Sequence, residues 1–370
     1  MTVEPNLTTR PRCLAIRPAP APGAAGGDEV VYRKSFPYLE RFMDLEVLEL
    51  QPTSTLNRYL GILQGNPPET TRFLSRKNAQ LVAETLRRSK FDIVFLFNEV
   101  TLPMLDVVKA AGIPAVMVTQ NVHSMVAATD PSPVARMMRP FALAFERRYY
   151  ADPGAALVLI SQADLQGLRE AGITRSDIVI APAGAPPASP LAPEAPILRE
   201  AVVTGSYGWW RKRRDLTSFA KGATIGVPIY AIDPLAIEIL GEEGRLLDEA
   251  KGWNWSAGLR FGLVTDAFLG GFKLKSLEYV AKNCVVLSLS DIRPEFEGLP
   301  HAAEFVRSLK TKGEVAAVIA EMTARDPAPL IARFIEFKAA CLERYAWERC
   351  LAPLRDAAIS RLPGHPALTA

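Results

Sequence analysis

Gly270-Gly271-Phe272-Lys273-Leu274-Lys275-Ser276-Leu277-Glu278-Tyr279-Val280-Ala281 is the stretch whose reading decides the fold. Two glycines lead into a helix, two lysines fall in its first turn, and a glutamate follows one turn later. Strand-like segments flank it, 261–265 before and 284–290 after. The opening of a helix turns unpaired N–H groups and the positive end of its dipole outward, which suits a phosphate. Glycine lets backbone approach such a ligand, and ammonium groups add point charges. A carboxylate one turn deeper is placed to accept hydrogen bonds from a ribose diol. The plainer alternative for the segment alone is a glycine-led helix with solvated lysines.

Outward from this segment, apolar strands alternate with helices. Runs at 13–16, 45–50, 92–97, 114–119, 156–160 and 177–180 are separated by helical segments such as 71–90, 102–111 and 162–171. Near-continuous apolar strands of this kind indicate a parallel sheet covered on both faces, with ligands at the carboxyl ends of its strands. The proline-dense stretch 181–196 reads as a linker. Alternation then resumes at 201–204, 228–232, 261–265 and 284–290, whereas 233–260 shows no clean period. From 327 to about 362 the pattern is helical, with a break expected near Ala352-Pro353. The spacing predicts an α/β protein of two Rossmann-like domains facing across a cleft: 1–183, a linker 184–198, and 199–345. A helix, 346–370, closes the chain.

Composition is compatible with that plan. A chain of 370 residues exceeds one ordinary core. A net charge of +3 is too small to argue for wholesale nucleic-acid binding and leaves local basic patches open. The cysteines, Cys13, Cys284, Cys341 and Cys350, lack metal-site spacing and fit a reducing compartment. No stretch reaches the ~20 apolar residues of a membrane span, so a cytoplasmic location is expected. There is no GxGxxG after the first strand and no GxxxxGK[ST], which argues against a dinucleotide site and a P-loop. No internal repeat is found.

Three further groups of residues stand at predicted strand ends. Gly205-Ser206-Tyr207-Gly208-Trp209-Trp210-Arg211-Lys212-Arg213-Arg214 follows the first strand of the second domain. Its small residues leave room for a ligand and its four cations answer a diphosphate; base stacking or a solvated loop are the alternatives. Asn121-Val122-His123-Ser124 lies past the strand 114–119, where a histidine reaches a sugar hydroxyl or transferring group or serves structure alone. The loop after the first strand holds Gly23 and Gly26-Gly27, where backbone could approach a ligand. His301 and His365 lack comparable placement. A helix over 134–150 carries Val134, Met138, Phe141, Ala142, Phe145 and Tyr149 on one stripe and Arg136, Arg139 and Arg147 opposite. The stripe is read as core-facing, with a membrane-interfacial helix as the alternative.

These segments resemble the "group 1" family of two-domain retaining glycosyltransferases with the GT-B fold. Residues 270–287 are similar to the family's glycine-rich Lys-x-x-Glu helix and following strand. Ile160-Ser161 with Ile180-Ala181-Pro182-Ala183-Gly184 resembles the segment before the interdomain linker. Val203-Thr204-Gly205-Ser206 resembles the opening of the donor domain, and Tyr345-Ala346-Trp347-Glu348 the entry to a last helix that crosses back onto the first domain. Three positions depart from the pattern. Gly270 stands where members with E-x7-E carry the first glutamate, Ala183 replaces an asparagine, and Asn283-Cys284 replaces a small residue and proline.

The resemblance implies transfer of a sugar from a nucleoside-diphosphate sugar to a hydroxyl acceptor with retention, in bacterial polysaccharide or glycoconjugate biosynthesis. It implies His123, Lys212 and Lys275 as catalytic groups. Gly205, Ser206, Arg211, Gly270, Gly271, Lys273 and Glu278 would bind donor, with Glu278 on the ribose; Gly26, Gly27 and Asn121 would line the acceptor path. No metal or other cofactor is expected. The expected partners are the nucleotide sugar and a saccharide or lipid-linked saccharide, with peripheral contact at the inner membrane face and no nucleic acid. A non-catalytic nucleotide-sugar-binding scaffold and a nucleotide-sugar epimerase are the rival readings.

Overall fold

In this computed structural model residues 10–20 and 26–362 are described; Gly23 and His365 lie outside the described residues. Two parallel six-stranded sheets follow one another along the chain. The first comprises β1 (Arg12–Pro18), β2 (Asp44–Leu50), β3 (Ile93–Phe97), β4 (Ala115–Val118), β5 (Ala155–Leu159) and β6 (Ile178–Ile180), in the order β2-β1-β3-β4-β5-β6. The second comprises β7 (Ile197–Val203), β8 (Ile229–Ala231), β9 (Gly244–Leu246), β10 (Leu259–Val264), β11 (Cys284–Ser288) and β12 (Val306–Ser308), in the order β12-β11-β10-β7-β8-β9. β3, β4, β5, β10 and β11 are buried throughout. Such strands read as unbroken apolar runs because neither face meets water. Strand order reverses between β1 and β3 and between β7 and β10, and the loops leaving those strands face the crevice between the lobes.

The last helix, Trp347–Ile359, returns to the first lobe. Leu351, Leu354, Ala357 and Ala358 join the core formed with Cys13, Ala15 and Tyr32. Gly184 lies directly beneath Trp347: a Cβ there would sit 2.5 Å from the indole. The two motifs on either side of the second domain are therefore one packing contact. Proline-rich residues 181–196 are held rather than loose. Ser189 N–H donates to Ala281 O at 2.9 Å, and Asn283 Nδ2 donates to Pro190 O at 2.8 Å.

Several boundaries differ from the sequence reading. β7 starts at Ile197, inside the expected linker, because residues 197–200 pair alongside β10. The stretch 233–260 hides the helix Pro234–Leu240 and the short β9, and β12 was not read; strands of three residues are too brief to show a period. The segment 71–90 divides into a 3-10 turn, Thr70–Arg72, and the helix Arg76–Arg88, capped by Ser75. The C-terminal break falls at Tyr345-Ala346, and Pro353 lies inside the last helix. On the helix Pro133–Tyr149, Ala135, Ala142, Phe145, Glu146 and Tyr149 face inward, while Val134 and Phe141 are exposed, so the core-facing stripe is narrower than expected.

Candidate active site

The end of β7 and the helix Leu274–Ala281 are stitched together by two side chains. Gly262 on β10 has no Cβ because the Tyr279 ring occupies that space, at 2.2 Å from where one would stand. The Tyr279 hydroxyl accepts from Thr204 N–H and donates to Leu263 O, both at 2.9 Å. Thr204 Oγ1 then donates to Glu278 Oε2 at 3.0 Å. Burial raises the Glu278 carboxyl above its ordinary range. Gly205, left-handed at φ 91°, and Ser206 follow Thr204 and are exposed, so Glu278 sits beside an open turn.

Three lysines converge on a single aspartate next to this turn. Asp266, fully buried just past β10, lies 3.4 Å from Lys275 Nζ and 3.6 Å from Lys273 Nζ. Lys212, in the first turn of the helix Trp210–Ala220, is close enough to act on all three. The Asp266 carboxyl is held far below the carboxylate range, since Lys275, Lys273 and Lys212 outweigh its burial. Asp266 likewise pushes Lys275 up against its burial. Lys212 is lowered to about 8, first by burial and then by its neighbour Lys275; Lys273 is also lowered by burial. Asp266 is the carboxylate in ion-pair range of Lys273 and Lys275, with Asp28 and Asp164 acting on Lys212 and Lys273 from farther off. Three ammonium groups are thus crowded in a poorly solvated place. That is an environment that favours a polyanion.

Opposite, the first lobe supplies carboxylates. His123 Nε2 lies 3.1 Å from Glu99 Oε1, an ion pair rather than a well-aligned hydrogen bond. Burial opposes the imidazolium, but Glu99, Glu69 and Glu146 outweigh it and raise His123 to about 9. Glu99 also takes Gln120 N–H at 3.0 Å and Asn121 Nδ2 at 3.4 Å. Asp28, in the first turn of the helix Gly27–Leu39, accepts from Asn98 Nδ2 at 2.9 Å. Its low-dielectric surroundings and Glu99 raise it to about 6, opposed by Lys212 across the crevice.

The glycines act differently from a phosphate-cradling loop. A Cβ on Gly270 would stand 2.2 Å from Val126 Cγ2, and one on Gly271 2.3 Å from Gln120 O. Their φ values are 155° and 59°. Gly271 N–H donates to Asp164 Oδ1 of the first lobe at 3.2 Å. Both glycines thus permit close approach of the lobes, and the Gly270 position has no room for a carboxylate. Gly27 abuts Leu274, at 2.9 Å from a built Cβ, whereas Gly26 meets nothing within 4 Å. Arg211 is engaged by Asp130 and Glu69 at 2.9 and 3.2 Å, which ties the lobes together. The structure therefore groups Lys212, Lys273, Lys275, Glu278, Gly205 and Ser206, and sets Gly270, Gly271, Asn121 and Arg211 at the lobe contact.

A cavity of about 950 Å³ lies on another part of the interlobe junction, lined by Gln162, Glu295 and Tyr345 among others and by none of the three lysines. Charge rather than volume marks the lysine cluster. Glu295 takes Ala163 N–H at 3.2 Å across that junction, and burial with nearby Asp164 raises it to about 7. The sequence reading missed Asp266, Asp28, Glu99, Asp130 and Asp164. Asp266 and Glu99 each stand two residues past an apolar strand, and that placement is the signal that could have found them.

No family model matches this sequence, and no curated protein matches it. Solved structures do. HepE of Anabaena, in complex with UDP and glucose, is 14% identical with a TM-score of 0.61, over 94% of this chain and 98% of that one. The fold is GT-B. A sucrose-phosphate synthase of Thermosynechococcus elongatus has 13% identity and a TM-score of 0.66, over 94% and 98% of the two chains. The lipopolysaccharide outer core galactosyltransferase WaaB, in its apo form, has 13% identity and a TM-score of 0.56, over 95% and 100%.

Proposed function

We propose that the protein is a glycosyltransferase that moves a hexose-type sugar from a uridine-diphosphate sugar to a hydroxyl of a saccharide or lipid-linked saccharide. The observation that carries this reading is the convergence of Lys212, Lys273 and Lys275 on Asp266 beside Glu278. HepE, which shares the fold, binds UDP and glucose in its structure. In the proposed step the bond between the anomeric carbon and the diphosphate oxygen breaks while a bond to the acceptor oxygen forms. The departing diphosphate gains charge, and Lys212 and Lys275 stabilise it most when that charge is fullest. The acceptor proton passes to the leaving phosphate oxygen on the same face, so configuration is retained. Glu278 holds the ribose diol. His123, Asn121 and the turn at Gly26-Gly27 line the acceptor side, and lobe closure excludes water. The lysines carry the neutralising charge, so the reaction is proposed to need no metal. Bacterial polysaccharide or glycoconjugate assembly in the cytoplasm is the proposed setting.

Calorimetry with UDP tests the donor site. Lys275→Ala and Glu278→Ala each weaken binding by about 10–100-fold if charge-assisted contacts are lost; unchanged affinity in both rejects the assignment. Incubation with a panel of nucleotide sugars and saccharide acceptors tests transfer, and the anomeric configuration of the product tests retention.

A further inference from the structure

The loop that carries His123 is fixed by buried carboxylates, one for each alternate N–H group. Gln120 N–H donates to Glu99 Oε2 at 3.0 Å, Val122 N–H to Asp164 Oδ1 at 3.1 Å, and Ser124 N–H to Glu146 Oε1 at 2.8 Å. The Tyr150 hydroxyl donates to Asn121 O at 3.3 Å. A buried N–H without a partner is costly, so these acids specify the backbone path that delivers the imidazole. Glu99 and Glu146 serve the first lobe alone among the described residues. Asp164, fully buried, also accepts Gly271 N–H of the second lobe at 3.2 Å, on the same oxygen that holds Val122. A single oxygen thus joins backbone next to His123 with backbone that leads into Lys273 and Lys275.

The carboxylate is itself held in place. Ser161 Oγ donates to Asp164 Oδ2 at 2.5 Å, and Asp164 N–H donates back to Ser161 Oγ at 2.9 Å, which caps the helix Gln162–Glu170. That helix presses on the helix His123–Thr129: a Cβ on Gly167 would stand 2.9 Å from Met125 Sδ. The second lobe grips the same first turn once more, where Glu295 Oε1 accepts Ala163 N–H at 3.2 Å. When the lobes part, Gly271 leaves, and water that enters beside Asp164 competes for the oxygen that Val122 still uses. We propose that Asp164 is a positioning residue that sets the His123 loop only while the donor lobe is closed upon it. What the loop then does rests on the transferase reading; the coupling between the lobes does not.

Amide hydrogen exchange of the segment 120–124 in the full chain tests the coupling without turnover. The lobes are loosened by Asp130→Ala, which removes an acceptor of Arg211 and Arg214. With Asp164 in place, that loosening should speed exchange of the segment about tenfold, an ordinary size for coupling between sites. In Asp164→Ala the segment should already exchange fast, and Asp130→Ala should add less than about twofold. Asp164→Asn keeps an oxygen toward both N–H groups and should behave as the parent does. Asp164→Ser, too short to reach either, stands in where the alanine variant does not fold. Turnover gives a second readout. Asp164→Ala should lower kcat of transfer by about 10–100-fold, leave UDP affinity as in the parent, and send a larger share of the donor to water. A merely structural role would not move that partition. Exchange that Asp130→Ala leaves unchanged, or speeds equally with and without Asp164, overturns the inference. A parent that transfers no sugar rejects the transferase reading instead, and exchange alone then decides the coupling.

Discussion

Arg211 Nε in the second lobe donates to Asp130 Oδ2 in the first at 2.9 Å, and Arg214 Nη1 reaches the other oxygen of the same carboxylate at 2.5 Å. Asp130 is buried, and two guanidinium groups from one helix clamp it. The basic run that reads as a phosphate loop is thus divided by function. Lys212 turns to the anion site while its neighbours fasten the lobes.

Asp130→Ala removes the clamp and leaves Arg211 with Glu69 alone, and Arg214 with Asp215 alone, in a poorly solvated contact. Breaking a pair of this kind costs about 3 kcal/mol. A lower melting temperature is expected, together with a larger radius of gyration in small-angle scattering as the lobes part. UDP affinity should change less than in Lys275→Ala, because Asp130 touches none of the three lysines.

Asp266→Asn tests the charge argument from the other side. Without its carboxylate, three ammonium groups face one another, and the free protein should lose about 3 kcal/mol of stability. A polyanion then relieves more repulsion than in the parent. Thermal shift by UDP or inorganic pyrophosphate should therefore be larger in the variant than in the parent. An equal or smaller shift would mean that the lysines do not meet the diphosphate.

Gly271→Ala is expected to act through lobe approach. Its φ of 59° disfavours a side chain, and the new methyl would stand 2.3 Å from the Gln120 carbonyl. The hydrogen bond to Asp164 would lengthen as the lobes separate. Transfer activity should fall by more than tenfold, roughly the effect of a small misplacement in a catalytic geometry. Affinity for UDP alone, measured by calorimetry, should fall much less.

How far the sequence revealed this site follows from where its information lies. The buried strands of both sheets and the helix bearing Lys275 and Glu278 were legible, because local periodicity and turn chemistry specify them. Gly184 and Trp347 were noticed separately, but their contact spans 163 residues and no local pattern encodes it. The same holds for Gly270 and Gly271. A glycine that admits a phosphate and one that admits Val126 or a neighbouring carbonyl look identical in a string. Asp266 was missed because one polar residue after an apolar strand carries no period, although its burial among lysines makes it the electrostatic centre of the site.

His123 makes the protein's stability depend on pH in a definite direction. Its pKa rises from 6.5 to about 9 in the fold, where Glu99 and its neighbours outweigh the effect of burial. The folded state therefore binds the proton more tightly than the unfolded chain. The stabilisation is complete below pH 6.5 and is lost as pH rises through about 9, a change on the order of 3 kcal/mol. Lys212 has the opposite sign: its lowered value, about 8, makes stability recover between there and 10.5. Glu295, raised to about 7, loses its own stabilisation as pH rises through that value. The melting temperature of the parent should therefore fall from pH 6.5 to 8, with His123 dominating the upper half of that range. His123→Gln should start lower at pH 6.5 and show a flatter slope. A variant whose slope matched the parent's would mean that the imidazolium is not held by the carboxylates of the first lobe.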